Sequence, residues 1–198
     1  MQRLATSLVV ILCVMIGGLT VIAGPARAAT PADVLATYHD IAGRVIYHRN
    51  GTFDGNNGFG WQKISQKHKI TSYNAIGFIA HNPDGGTPEG KDRRYMAYAN
   101  KKTCNVSHTL CTVDESIPVK LIVHYEHVDT YFGAVVNAEL GAKTAYCVND
   151  DSAHDCPPWV NGALRSSFSD SAGPMTSAHG VTSIVWTYEP LSSAGAEK

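Results

Sequence analysis

The chain holds 198 residues, 16 of them Lys or Arg against 17 Asp or Glu, for a formal net charge of −1. A balance so close to neutral gives no overall basic field, which excludes a nucleic-acid binder working by net charge alone. The length suits one domain around a single core and is too short for two comfortable ones.

The first 28 residues read as a secretory signal rather than as part of the fold. Arg3 gives a short basic start, Leu8 to Ile22 is a mostly apolar run, and Ala26-Arg27-Ala28 is a small-x-small cleavage site that leaves Ala29 first. The apolar run is shorter than a comfortable membrane span, and no later stretch is apolar enough to cross a bilayer. Cys13 leaves with the signal, while Cys104, Cys111, Cys147 and Cys156 remain. An even number of cysteines in an exported chain points to two disulfides. Of the three possible connectivities, Cys104 to Cys111 and Cys147 to Cys156 is preferred, because each closes a short polar loop. Neither spacing suits a structural zinc site, and no cofactor is expected.

Charge is unevenly distributed along the chain. Residues 44–102 hold ten Lys or Arg against four acids, and residues 103–198 hold four against eleven. That asymmetry makes one part of the molecule attractive to a polyanion.

In chain order, Thr30-Pro31-Ala32-Asp33 has the form of a helix start. Val34, Leu35, Tyr38, Ile41, Ala42, Val45 and Ile46 then follow 3-4 spacing, predicting an amphipathic helix of about 16 to 18 residues, with His39 and His48 turned to solvent. Residues 50–58 are a turn-rich loop, either a linker or a phosphate cradle. A short helix follows from Gly60, placing Trp61, Ile64 and His68 on one face and Lys63 with Lys67 on a flank. Asn74 to His81 reads as an apolar strand, Asp84 to Gly90 as a turn, and Arg93 to Lys101 as an alternating strand with Arg93, Tyr95, Ala97 and Ala99 on one side. Strands are expected at Pro118 to Val128, Tyr131 to Ala138, Ala142 to Val148 and Val181 to Glu189. A short helix is expected at Trp159 to Phe168, and a loose tail after residue 191. The prediction is an α+β domain over residues 29–198, N-terminal helices packed on a mainly antiparallel sheet.

Three constellations can carry chemistry. His68 titrates near neutrality and sits beside Lys63 and Lys67, ammonium groups able to stabilise charge building on a phosphorane. His124 and Glu126, two apart in a strand, share a face and form a candidate acid–base pair for cleaving RNA through the 2′-hydroxyl. On the last strand Ser183 and Thr187 present hydroxyls to one side and Tyr188 points to the other. Arg93 and Arg94 are candidate substrate contacts. The loop Cys147 to Cys156 gathers acids that make a calcium site conceivable but lack calcium-loop spacing. Asn50-Gly51-Thr52 and Asn105-Val106-Ser107 fit the glycosylation sequon.

The segment Gly60-Trp61-Gln62-Lys63-Ile64-Ser65-Gln66-Lys67-His68 resembles the helix of the barnase, EndoU and colicin type of RNase-toxin superfamily. The ending Thr187-Tyr188-Glu189-Pro190 is similar to the closing strand of such domains. The resemblance implies His68 as general acid or base, a nearby Lys as charge stabiliser, and Thr187 or Tyr188 at the phosphate. The function expected is a secreted, metal-independent ribonuclease-like toxin acting on RNA. The alternatives are a secreted binding or inhibitor module with a protein target, and a secreted NAD-dependent toxin.

Overall fold

The computed structural model describes residues 28–105, 107, 110–149, 154–162, 175–177 and 180–191. Among these residues, ten strands and two short α-helices make a mixed architecture dominated by sheet: β1 (Val34–His39), β2 (Val45–Arg49), β3 (Thr52–Phe53), β4 (Gly58–Phe59), α1 (Gly60–Gln66), α2 (Tyr73–Ala80), β5 (Thr87–Glu89), β6 (Asp92–Cys104), β7 (Cys111–Tyr131), β8 (Ala134–Cys147), β9 (Met175–Ser177) and β10 (Gly180–Thr187). The main sheet has the order β8-β7-β6-β10-β9, with β5 pairing the start of β6. Every pairing is antiparallel. The disulfides are Cys104–Cys111, which ties the β6 and β7 ends, and Cys147–Cys156.

The helix expected at the N-terminus is instead the hairpin β1–β2, so the helices do not lead the fold. The sequence there is rich in residues that fit a pleated surface: Val34, Thr37, Tyr38, Val45, Ile46 and Tyr47. The turn between the strands is held by Asp40, whose Oδ1 accepts from the backbone N–H groups of Ala42 and Arg44, and by Gly43 at φ 77°. Two short runs either side of a turn imitated a single 3.6-residue period. His48, expected at the surface, is 0 % exposed.

The apolar run expected as a strand at Asn74 to His81 is α2. A short unbroken apolar run does not distinguish a buried strand from a buried helix, and here Ala75, Ile76, Gly77, Ile79 and Ala80 are all buried. Gly77 lets the helix meet β1: a Cβ at that position would stand 2.9 Å from the Tyr38 ring. Beyond Pro157, a single 3-10 turn, Pro158–Asn161, stands where a longer helix was expected. The remainder of that segment, the signal up to residue 27 and the tail from residue 192 lie outside the described residues.

The strand readings in the middle of the chain hold in kind but not in extent. β7 runs 21 residues, from Cys111 to Tyr131. It then reverses through Phe132 and Gly133, at φ 45° and 74°, so the segment read as a strand over Tyr131 to Ala138 holds the end of β7, the turn and the start of β8 at Ala134. One face of the sheet presents Tyr95, Ala97, Ala99, Val119, Leu121, Val123, Ala142 and Ala145 to the core, against Ile46, Ile64, Ile70, Ile76 and Ile79. The alternation that buries those residues sends Asp92, Arg94, His124 and their neighbours to the opposite, outer face. α1 packs along β8, at the sheet's edge.

Candidate functional site

The outer face carries a cluster of charged and titratable side chains. Asp92 opens β6 and pairs in register with His124 of β7. Between the pairs Ile122–Thr144 and Val123–Ala142 the register of β7 and β8 shifts, leaving Lys143 as the extra residue of a bulge, a device that re-aims a side chain. As a result, three adjacent strands bring three groups together. His124 Nδ1 lies 2.6 Å from Asp92 Oδ1, and Lys143 Nζ donates to Asp92 Oδ2 at 2.8 Å. Burial acts to raise the Asp92 pKa, but the bonds from Lys143 and His124 outweigh it and hold the carboxyl below its ordinary range. An ionised Asp92 only accepts, so Nδ1 of His124 carries the hydrogen between them, and Nε2 is the ring nitrogen that Asp92 does not engage. The His124 side chain is 13 % exposed. Lys143 also lies 5.9 Å from the centre of the Tyr131 ring.

α1 adds two more cations. Lys63 and Lys67, one turn apart, flank its buried Ile64. Lys67 Nζ donates to the Asn56 carbonyl at 3.2 Å. Lys63 is partly buried, and its pKa is lowered first by that burial and then by the charges of Lys67 and Lys143. Among the described residues, neither Lys63 nor Lys67 has an ion-pair partner.

Lys63, Lys67 and His124 are thus brought to one end of the molecule by way of Lys143 and Asp92. The remaining residues singled out in the sequence lie elsewhere. His68 is 5 % exposed; its ring packs 5.5 Å from that of Tyr146, and its carbonyl accepts from the Cys156 N–H at 3.0 Å. A ring so enclosed does not meet a solvent-borne hydroxyl in this conformation. Glu126 does not pair with His124. A bulge between His124 and His127 separates them, and Glu126 bonds the exposed Lys91 at 2.7 Å. Arg93 donates to the carbonyls of Gly85 and Gly86, fastening a loop, and Arg94 pairs with Glu89 at 2.7 Å.

Ser183, Thr187 and Tyr188 belong to the far side. β10 is separated from β8 by β6 and β7. Ser183 stands opposite Lys102 in the β6–β10 ladder. Thr187 Oγ1 accepts from Asn100 Nδ2 at 2.8 Å and donates to the Glu189 carbonyl at 2.6 Å. Tyr188 stacks on Phe78 at 4.5 Å and donates to its carbonyl at 3.1 Å, and burial raises its pKa. Tyr188 and Arg94 do share one feature, a cavity of about 190 Å³ at the edge of β6 away from β7, in the gap between β5 and β10.

Asp92, Lys143 and Tyr131 were missed by the sequence reading. Only cross-strand register and the bulge bring them beside His124, and neither has a local signature. No group of three or more His, Cys, Asp or Glu side chains among the described residues is arranged to hold a metal ion, and none of those residues forms a helix long and apolar enough to cross a membrane. No protein-family model, curated protein or solved structure matches the chain.

Proposed function

We propose that the chain is an exported, ribonuclease-like toxin that cleaves RNA by metal-independent acid–base chemistry, with His124 in the role first assigned to His68. The observation that carries this reading is the 2.6 Å contact between His124 and an Asp92 whose second oxygen is held by Lys143. Such a dyad fixes the tautomer and stabilises the imidazolium that forms when Nε2 takes a proton. In the reaction Nε2 removes the 2′-hydroxyl proton and the freed oxygen attacks the adjacent phosphorus. The same ring returns a proton to the departing 5′-oxygen, leaving a cyclic phosphate. Lys143, the cation bonded to the dyad through Asp92, faces the charge that builds on the phosphorane oxygens. Two disulfides support export, because such bonds persist in oxidising compartments.

The test is incubation of the mature chain with total RNA in EDTA. Wild type should cleave, His124→Ala should lose about 10²- to 10⁴-fold, Asp92→Asn should fall in between, and His68→Ala, if it folds, should cleave. Silent wild type, or undiminished cleavage by folded His124→Ala, removes the proposal.

A second reading, a secreted binding or inhibitor module, is favoured by the tip of the β7–β8 hairpin, where Phe132 is 50 % and Val135 70 % exposed. Capture of one defined protein that is lost in Phe132→Ser/Val135→Ser and retained in His124→Ala would favour it over catalysis.

A further inference from the structure

Among the described residues, the charges around Lys63 do not balance. Lys63 projects from α1, which packs along β8, Lys67 caps the C-terminus of that helix, and Lys143 projects from the β8 bulge. Three ammonium groups therefore share one end of the sheet. The acid bonded within this group is Asp92, shared by Lys143 and His124. Among the described residues, three ammonium groups against one carboxylate leave an excess of at least two positive charges. Holding like charges together in partly buried positions opposes folding unless something else recovers the energy. In the Asp40–Arg44 pair, by contrast, the same chain neutralises a buried ion internally.

We infer that Lys63, Lys67 and Lys143 form a subsite for a phosphate dianion, so that the RNA bound here is held by a terminal phosphomonoester next to the bond presented to His124. A phosphomonoester carries about −1.5 to −2 at pH 7, which matches the excess, whereas an internal diester carries a single charge. The inference rests on the reading of the outer face as an RNA-cleaving site and narrows it to chains with a phosphorylated end. It also assigns the lysines separate parts: Lys143 joins the dyad to the subsite through Asp92, and Lys63 supplies the charge that only a ligand neutralises. Ligand binding should accordingly raise the Lys63 pKa, because a dianion beside an ammonium favours its charged form.

Binding is measured on the full mature chain with three probes: inorganic phosphate, a 2′-deoxy oligonucleotide with a terminal phosphate at either end, and the same oligonucleotide with hydroxyl ends. Phosphate should raise the Tm of wild type and shift NMR signals of Lys63 and Lys143. A phosphorylated oligonucleotide should bind about tenfold more tightly than its hydroxyl-ended counterpart. Lys63→Gln should abolish that difference while keeping the fold, and Lys63→Arg should preserve it. Equal affinity for both oligonucleotides, or a preference unchanged in folded Lys63→Gln, overturns the inference. Cleavage of hydroxyl-ended RNA with wild-type efficiency overturns it too, yet leaves the ribonuclease reading intact. Loss of that reading alone would appear as end-phosphate binding without cleavage.

Discussion

Two aspartates anchor polar networks on opposite faces of the same sheet, and the networks end differently. On the core side Asp40 accepts from Tyr95 at 2.7 Å and pairs with Arg44 at 2.5 Å, while Tyr95 meets Tyr125 at 2.6 Å. The Asp40 side chain is 0 % exposed. Burial alone would raise its pKa, but the bonds from Tyr95 and Arg44 hold it below the carboxylate range. This network ties the β1–β2 turn to β6 and β7 and closes on itself. On the outer side Asp92 also accepts from two partners, but its network opens onto Lys63, Lys67 and solvent. A closed network stabilises one arrangement of the chain. An open one with surplus charge has a place for a ligand.

The comparison is broken most directly by changing each aspartate. Asp40→Ala should cost about 1 to 3 kcal/mol in urea denaturation, because it removes the buried acceptor of the Tyr95 hydroxyl and of the Ala42 and Arg44 N–H groups that hold the turn. Asp92→Asn should cost under about 1 kcal/mol, since Lys143 and His124 still reach water, yet should depress RNA cleavage severely. Similar stability losses for the two would mean that the outer network is structural as well.

A second contrast separates two histidines. His124 has a carboxylate; His48 has only the rings of Tyr38, Trp61 and Tyr73 around it, at 6.2, 5.4 and 5.2 Å, and neither ring nitrogen has a hydrogen-bond partner among the described residues. Burial lowers the His48 pKa to about 4. The unfolded chain, near 6.5, then takes the proton first, so stability is complete above pH 6.5 and falls as the pH drops towards 4. The loss is about 3 kcal/mol and levels off below that. His48→Phe should flatten this part of the pH–stability curve; a slope unchanged by the substitution would place the titration elsewhere.

Smaller effects sharpen the picture. Replacing Cys147 and Cys156 together by Ser should cost about 2 to 3 kcal/mol, the range for a short closed loop, and should loosen the end of α1, where the Cys156 N–H bonds the His68 carbonyl. Hydrogen exchange should locate that loosening. Least of all, Glu126→Gln should leave both Tm and cleavage unchanged, because its partner Lys91 is an exposed residue of the β5–β6 turn. A marked loss of cleavage would restore Glu126 as the partner of His124.

Local chemistry in the sequence determined several features. The two cysteine pairs close short loops, and their pairing was legible from spacing. α1 was legible because glycine at its start and Ile64 on one face leave few alternatives over seven residues. The alternation of Tyr95, Ala97 and Ala99 against Arg94, Met96 and Tyr98 announced a strand with one buried face. The sequence grouped Lys63 and Lys67 with His68; in the structure Lys63 lies within electrostatic reach of Lys67 and of Lys143, the lysine bonded to Asp92.

What only the tertiary structure decided follows from register and enclosure, which no single segment encodes. Shifting a strand by one residue exchanges its faces, so the partner of His124 depended on where β6 begins and not on the Glu126 two positions away. The Lys143 bulge depended on how β8 matched β7. His68 and His48 were enclosed by residues distant in sequence, Tyr146 for one and Tyr73 for the other. The hairpin in place of the first helix was decided by the same physics: residues 34–49 fit a helical period as well as a turned pair of strands, and the core supplied by α1, α2 and β8 favoured the pair.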